Sequence, residues 1–302
     1  MRNLSVNKQL RADLMLIVVT IFWGAAYLFM KIATESLEPF TLIAYRFIIA
    51  FLLSAIIFYK RMIQINWKII KYSFVLGTIL FFIFTTITVG ITSTSVSNAG
   101  FLVSLSVVFV PILAAIFLKQ KPEAKVLVGV CCALFGIGLL TLNSQLQLGS
   151  GDLLCILCAL FYSVHILVTD KFTKGVDSIV LGVTQLGICG LWGLLFSFVF
   201  ESPSLTHSTN VWLSVLALSI FGSAFAFIAQ TTAQQHTSAT HAGLIFTLEP
   251  IFAAFFAFIF IGETLSTKGY IGAALVLAGI LFAEFDLKKL FFKQKVTGKV
   301  QI

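Results

Sequence analysis

The sequence predicts an all-α integral membrane protein, with ten transmembrane helices arranged as two inverted five-helix repeats. Three observations lead to this fold class: an apolar composition, ten apolar segments of spanning length, and an internal repeat. Of the 302 residues, 59% are hydrophobic and 11% are charged, and the mean hydropathy is +1.04. A soluble domain carries about a quarter charged residues. Most of the chain is therefore expected to lie in lipid.

The apolar segments have the length that a membrane requires, since a spanning helix needs about twenty mostly apolar residues. The connectors between them are short and leave no room for a soluble catalytic domain. The first segment lacks a small-residue cleavage site, so we expect a retained span and not a cleaved signal peptide. The predicted spans are residues 13–33, 40–59, 69–91, 95–118, 124–142, 152–170, 178–200, 211–233, 239–261 and 269–286.

The positive charges predict the orientation of these spans. With both termini in the cytoplasm, 17 of the 20 Lys and Arg residues fall on the cytoplasmic side, while Lys31 and Lys268 fall outside. This is the positive-inside pattern, and an odd number of spans would destroy it. It accounts for the net charge of +8 without nucleic acid as a partner. Residues 287–302 form a basic cytoplasmic tail, which either anchors to anionic lipid or is a solvated charge run.

An internal repeat divides the chain into two five-span halves, residues 12–142 and 152–286. A shift of 143 residues places TSVSNAGFLVSLSV (94–107) over TSATHAGLIFTLEP (237–250), and a shift of 139 places Trp23 over Tyr162. Because five is odd, the halves must enter the membrane from opposite faces. Many secondary transporters share this arrangement, with the substrate held between the repeats. The alternative is a duplication that only made a stable bundle.

Short sequence motifs in both halves provide a further indication of what kind of membrane protein this is. They are FWGAAYLFMK in the first span, YRF in the second, TSVSNAGFLVSLSVVFVP in the fourth, and LEP followed by GE in the ninth. Together they resemble the drug/metabolite transporter superfamily, in its ten-span EamA branch, over about residues 12–286. The resemblance implies an inner-membrane exporter or exchanger of amino acids, related metabolites or drugs. The first half departs from the pattern, with Ser106 at the place of Glu249 and Gln120 at that of Glu263.

Glu249 and Pro250 lie near the middle of the ninth predicted span. An ionised carboxylate facing lipid there would cost about 2.5–3.5 kcal/mol or more, so Glu249 is expected to face the interior, to pair, or to keep its proton. Pro250 frees the carbonyl of Phe246 and predicts a kink. Two interpretations stay open for this pair: a structural or gating element, or direct coupling to substrate or to protons.

Aromatic and amide side chains at matching places in the two halves predict a binding cavity. Such a cavity suits a zwitterion with an apolar side chain, although interfacial belts and helix packing explain the aromatic residues equally well. Arg46, a candidate gating or coupling residue together with Glu249 and Pro250, either pairs with Glu35 or Glu38 or draws in a substrate carboxylate. His241 either titrates near neutral pH or bonds a neighbouring helix. The candidate substrate-binding residues are Trp23, Tyr27, Asn98, Tyr162, His165, Gln230 and His241, and Gln185 and Gln234 add further amides.

Enzyme classes find no support in the sequence. GSGD at residues 149–152 matches a signature of intramembrane aspartyl proteases, which need two facing aspartates. We expect Asp13 and Asp152 at the starts of helices on opposite faces, about 30 Å apart, so they cannot form a dyad. No HExxH, Walker loop or activated-serine elbow occurs. Cys155 and Cys158 lie in an apolar run and are expected to be packing residues. No catalytic residue, metal or cofactor is predicted.

The sequence thus predicts a secondary transporter, an exporter or exchanger of amino acids or related small metabolites that works by alternating access. The alternatives are a multidrug or toxic-compound exporter and a non-transporting membrane scaffold. The expected partners are a small-molecule substrate, the lipid bilayer, and protons as the coupling ion.

Overall fold

A computed structural model describes residues 2–118, 148–203, 208–237 and 239–284, with scattered residues between 128 and 139. The described part of the chain is helical and contains no strand. Most of the predicted span 124–142 and all of the basic tail 287–302 lie outside the described residues.

The described helices of the first half are α1 Arg2–Ala33, α2 Pro39–Ile57, α3 Tyr59–Met62, α4 Trp67–Gly90, α5 Val96–Val103 and α6 Ser106–Leu118. Three of them, α2, α4 and α5, begin where the sequence supplies a proline or a capping side chain. Pro39 occupies the first turn of α2, where its missing N–H costs nothing. The side chains of Asn66 and Ser95 accept backbone N–H groups of the first turns of α4 and α5.

The second half is also built of helices. Its helices are α7 Ser150–Phe172, α8 Ser178–Phe200, α9 Thr209–Ala217, α10 Ala226–Gln234, α11 Ala239–Ile245, α12 Glu249–Ile261 and α13 Thr267–Glu284. A π-helical segment, Leu218–Phe225, joins α9 to α10, and a 3₁₀ turn, Phe246–Leu248, joins α11 to α12. Asp177 accepts the N–H groups of Ile179 and Val180 and caps α8.

Helices occupy the predicted spans where the chain is described, and the predicted count of ten is confirmed in part. Among the described residues, seven helical stretches are long and apolar enough to cross a membrane, and α12 is a shorter apolar helix. Asp152 lies in the first turn of α7, as predicted, and accepts the N–H of Gly149 at 3.1 Å. The prediction for Asp13 is wrong: α1 begins at Arg2, because the polar residues before the apolar run extend the helix, so Asp13 lies well inside it.

The two halves are inverted relative to each other. We call the end of the bundle where α1 begins the near end, and the end where α1 finishes the far end. Lys31, in the last turn of α1, donates to the carbonyls of Ile91 (2.6 Å) and Thr94 (3.1 Å). Thr94 donates in turn to Asp152 at 2.6 Å, in the first turn of α7. The helix that matches α1 therefore begins beside the end of α1 and runs the opposite way.

Within the described residues, a helix is broken at matching repeat positions of the two halves. In the first half α5 ends at Val103 and α6 begins at Ser106. In the second half the 3₁₀ turn ends at Leu248 and α12 begins at Glu249, followed by Pro250. The Phe246 carbonyl accepts the Glu249 N–H, which replaces the bond that proline cannot make. Discontinuous helices of this kind surround the binding sites of many transporters.

Two glutamates of the second half cap helices of the first half at the far end. Glu201, after α8, accepts the backbone N–H groups of Phe40 and Thr41, both at 2.7 Å, where α2 begins. Glu263, after α12, accepts those of Val96 (3.2 Å) and Ser97 (2.9 Å), where α5 begins. A carboxylate is favourable at a helix N-terminus because it satisfies free N–H groups and faces the positive end of the helix dipole. These bonds hold the halves together at the far end.

Gly24 lets α1 pack directly against α12. A Cβ atom at this position would lie 2.4 Å from Phe252 Cβ and 2.8 Å from the backbone nitrogen of Ala253. No side chain fits at these distances without moving a backbone. Gly243 differs, since its Cβ would meet only Val110 Cγ2, at an ordinary 3.9 Å. Small residues at helix crossings allow this close approach in membrane proteins.

We expect Gly24→Ala to destabilise the protein by about 1–3 kcal/mol, because the added methyl forces α1 and α12 apart. Thermal unfolding of the purified protein in detergent measures the effect. Gly243→Ala is the matched control and should leave the unfolding temperature unchanged or raise it slightly, since alanine favours a helix. Equal unfolding temperatures for the two variants would contradict the packing described here.

Candidate functional site

A narrow cavity of about 50 Å³ lies at the seam between the two halves. Helices α1, α2, α4 and α5 line it from the first half, and α7, α10 and α12 from the second. Its wall is mainly apolar and aromatic but includes one acid and one guanidinium. The lining residues are Trp23, Ala26, Tyr27, Met30, Arg46, Ile83, Phe84, Ile87, Val103, Cys158, Tyr162, Phe227 and Glu249.

The acid of the cavity, Glu249, is bonded across the seam. Tyr27 Oη donates to Glu249 Oε1 at 2.6 Å, and the glutamate is only 7% exposed. Glu249 is the first residue of α12, so its side chain leaves the chain where the ninth span is broken. The break lets the carboxyl enter the cavity, where a hydrogen bond from the other half satisfies it.

Aromatic rings of both halves form the wall next to this bond. The ring centroid of Trp23 lies 5.7 Å from that of Tyr162 in an edge-on arrangement, and 5.2–5.3 Å from those of Phe227 and Phe246. Edge-on and tilted pairs are the favoured geometries of aromatic rings. Trp23 and Tyr162 are repeat mates, so the inverted repeat brings two equivalent aromatic residues into contact across the seam.

The guanidinium of Arg46 is the cationic group of the cavity. It is 2% exposed, and it donates through Nε to Ser223 Oγ (2.6 Å) and through Nη2 to the Gly222 carbonyl (3.1 Å). Trp23 Nε1 donates to the same carbonyl at 3.1 Å. Gly222 and Ser223 lie in the π-helical segment, and such segments are frequent at functional sites. Among the described residues Arg46 forms no ion pair, so the predicted pairing with Glu35 or Glu38, both exposed, is wrong.

A buried polar chain lies beside the cavity, on α7, α8 and α10. His165 Nε2 is 3.0 Å from Gln185 Oε1, and Gln185 Nε2 donates to Thr231 Oγ1 at 3.0 Å. His165 and Gln185 do not line the cavity, although the His165 ring contacts Phe227 edge-on at 6.2 Å. This chain holds α7, α8 and α10 in register behind the aromatic wall.

Several buried polar atoms on α7 and α10 lack a hydrogen-bond partner among the described residues. They are Tyr162 Oη, His165 Nδ1, Thr169 Oγ1, both amide atoms of Gln230, and Gln234 Oε1. Buried polar groups are normally satisfied, so each of these calls for an explanation. Most of them follow Tyr162 toward the near end, where α7 and α10 both finish. Of these residues only Tyr162 lines the cavity, and the others are buried in the packing of α7 and α10.

The structure brings together some of the predicted residues and not others. Trp23, Tyr27, Tyr162, Arg46 and Glu249 share the cavity, and Pro250 is buried beside Glu249 in the first turn of α12 but does not line it. His165 contacts the lining residues Tyr162 and Phe227, and Gln230 is buried on α10 about one turn after Phe227; neither lines the cavity. Asn98 lies in the first turn of α5, at the far end, and does not line the cavity. The side chain of His241 lies outside the described part.

Sequence patterns did not reveal two parts of the site. One is the apolar wall of Met30, Ile83, Phe84, Ile87 and Val103, which has the same composition as lipid-facing residues. The other is the Gly222–Ser223 pair, whose role depends on the π-helical turn. A glycine next to a serine inside an apolar span was the only available signal.

The cavity is small for a metabolite. Small-molecule pockets usually occupy about 300–1,000 Å³, against about 50 Å³ here. The helices that line the cavity must therefore move apart before a solute of amino-acid size can enter.

Comparison with known proteins identifies relatives over most of the chain. The EamA-like transporter family matches twice, at residues 10–142 and 149–285. A protein of Archaeoglobus fulgidus described as an uncharacterized transporter is 30% identical over 274 residues, covering 91% of this chain and 86% of the relative. The uncharacterized transporter YoaV of Bacillus subtilis is 24% identical over 283 residues, covering 91% and 97%. One crystal structure superposes with a TM-score of 0.71 at 19% identity, covering 92% of this chain and 98% of the other, which shows a shared fold.

Replacing Tyr27 by phenylalanine should destabilise the protein by about 1–3 kcal/mol, because it leaves the buried Glu249 carboxyl without its donor. Thermal unfolding in detergent provides the measurement. Tyr162→Phe is a matched control in the same cavity, since the Tyr162 hydroxyl has no partner among the described residues. It should unfold at the wild-type temperature or above. An equal loss in both variants would mean that the tyrosines contribute only through packing.

Proposed function

The chain belongs to the EamA-like transporter family, and we propose that it is a secondary transporter that exports or exchanges amino acids or related small metabolites by alternating access. One observation carries the proposal: a cavity at the seam of two inverted halves holds an acid from one half and a guanidinium from the other. Amino acids carry the complementary pair of charges.

Alternating access needs two conformations that exchange the roles of the inverted halves. We propose that the repeats, residues 12–142 and 152–286, are the units that exchange. At the far end, capping of α2 and α5 by Glu201 and Glu263 keeps the halves in contact. The unpartnered polar atoms of α7 and α10 mark the route toward the near end. The structure therefore supports a state whose far end is closed.

The proposed orientation places both termini and the basic tail 287–302 in the cytoplasm, with the far end outside the cell membrane. The positive-inside distribution of Lys and Arg supports it. In this orientation the closed far end faces outward, and the polar route faces the cytoplasm, where an exporter collects its substrate.

Individual residues take distinct roles in this proposal. Trp23 and Tyr162 supply aromatic faces to the substrate, and Gln230 and His165 supply polar atoms along its route. Tyr27 holds Glu249 in place. Glu249 and Pro250, at the helix break, act in gating and in coupling to protons.

Purified full-length protein in liposomes tests the transport proposal. Vesicles loaded with a mixture of unlabelled amino acids should take up a labelled amino acid of that mixture transiently above equilibrium, because a carrier exchanges solute faster than it moves net solute. The uptake should saturate with concentration. Liposomes without protein are the control. An absence of exchange for every amino acid, with the protein folded and inserted, would favour a membrane scaffold.

Proton coupling through Glu249 is tested separately in the same vesicles. We expect Glu249→Gln to slow transport at least about tenfold and to remove its response to an imposed pH gradient, because the amide cannot exchange a proton and loses a charge-assisted hydrogen bond. Glu35→Gln, an exposed glutamate changed in the same way, should behave as wild type. Unchanged rate and pH response in Glu249→Gln would exclude coupling through this residue.

A further inference from the structure

Arg46 is a buried cation held only by neutral groups. Its described hydrogen-bond acceptors are the Ser223 hydroxyl and the Gly222 carbonyl. Its guanidinium carbon lies 4.4 Å from the ring centroid of Phe84 and 5.2 Å from that of Phe47. Hydrogen bonds and aromatic faces reduce the cost of burying a cation, but they leave its charge uncompensated. Among the described residues no carboxylate forms an ion pair with it.

The Arg46 guanidinium also has N–H groups that are not used in the described hydrogen bonds. Arginine carries five N–H groups in a planar fork that matches a carboxylate. The described bonds use the Nε–H group and one of the two N–H groups of Nη2. Nη1 has no acceptor among the described residues. Because Arg46 lines the cavity, an anionic group that enters the cavity can reach it.

The cavity also holds one carboxyl group, at a separate position. Glu249 and Arg46 both line it without forming an ion pair, and Glu249 is bonded to Tyr27. A ligand with a carboxylate at one end and an ammonium at the other can satisfy both positions together. A phosphate dianion would meet a single guanidinium and the nearby acid, and a lipophilic cation could pair with Glu249 but would leave the charge of Arg46 uncompensated. The apolar wall of Met30, Ile83, Ile87 and Val103 is left for an apolar side chain.

We infer that Arg46 is the carboxylate-binding subsite of the cavity, so that the transported solutes are zwitterions with a free carboxylate and an apolar side chain. This inference rests on the proposed transport function and specifies its substrate class. In the absence of a solute, the π-helical turn at Gly222 and Ser223 holds the guanidinium in place. A bound carboxylate uses the donors that the turn leaves free.

The experiment compares each transported amino acid with its carboxamide, which keeps the shape and the ammonium but lacks the negative charge. Both are used as competitors of labelled amino-acid exchange in the liposomes described above. For the wild type, the carboxamide should compete about 10- to 100-fold more weakly, the difference expected for a buried hydrogen-bonded charge. Arg46→Gln should lose most of this selectivity. Arg46→Lys should retain part of it, since lysine keeps the charge but not the fork.

Arg61→Gln is the matched control, because Arg61 is exposed and pairs with Asp177 at the near end. It should keep the wild-type selectivity. The selectivity ratio separates recognition from stability, since a variant that is only less stable transports less of both solutes. If Arg46→Gln does not fold, the inference is still tested by the selectivity for amino acid over carboxamide in the wild type and in Arg46→Lys.

Competition by carboxamides equal to that by amino acids would overturn the inference while leaving the transporter in place. Full selectivity in Arg46→Gln would overturn it as well. Failure of the transport proposal looks different, because no amino acid would then exchange at all.

Discussion

The hydrogen bond from Tyr27 to Glu249 is the interaction on which the site depends. A carboxyl group in the middle of an apolar bundle needs a partner, and this bond supplies it from the other half of the molecule. Gly24, one turn before Tyr27, allows α1 to approach α12 closely enough for the bond to form. The break before Glu249 then directs the acid into the cavity. Packing, the helix break and the charged group are thus linked through one contact.

The two halves share their helix arrangement but differ in the polar and charged side chains that they bring to the cavity. Both contain a broken helix at the same repeat position, and Trp23 and Tyr162 face each other as repeat mates. At the place of Glu249, however, the first half has Ser106, a buried residue whose carbonyl accepts a hydrogen bond from Ser163. One half therefore supplies the acid and the other the guanidinium of Arg46. This asymmetry places a carboxyl group and a guanidinium at separate positions on the seam, as the proposed zwitterionic substrate requires.

Contacts at the far end show how inverted halves can hold one conformation. Glu201 and Glu263 reach from the second half to the first turns of α2 and α5, and Lys31 and Asp152 meet around Thr94. The bonds of Glu201, Glu263 and Asp152 join the two halves, so a rigid movement of one half can break them together, whereas the Lys31 bonds lie within the first half. In the proposed transport cycle they close the outer side while α7 and α10 present polar atoms toward the cytoplasm.

The sequence by itself determined the helices, the repeat and its inversion, because span length, residue identity at a fixed shift and the parity of the spans are properties of the chain order. It also identified Trp23, Tyr27, Tyr162 and Glu249 as unusual residues within apolar spans. Only the tertiary structure decided the partners: Arg46 with the π-helical turn and not with Glu35 or Glu38, and Asn98 away from the cavity. Hydrogen-bond partners are chosen by proximity between distant segments, and the hydropathy of a segment carries no record of which neighbour it meets.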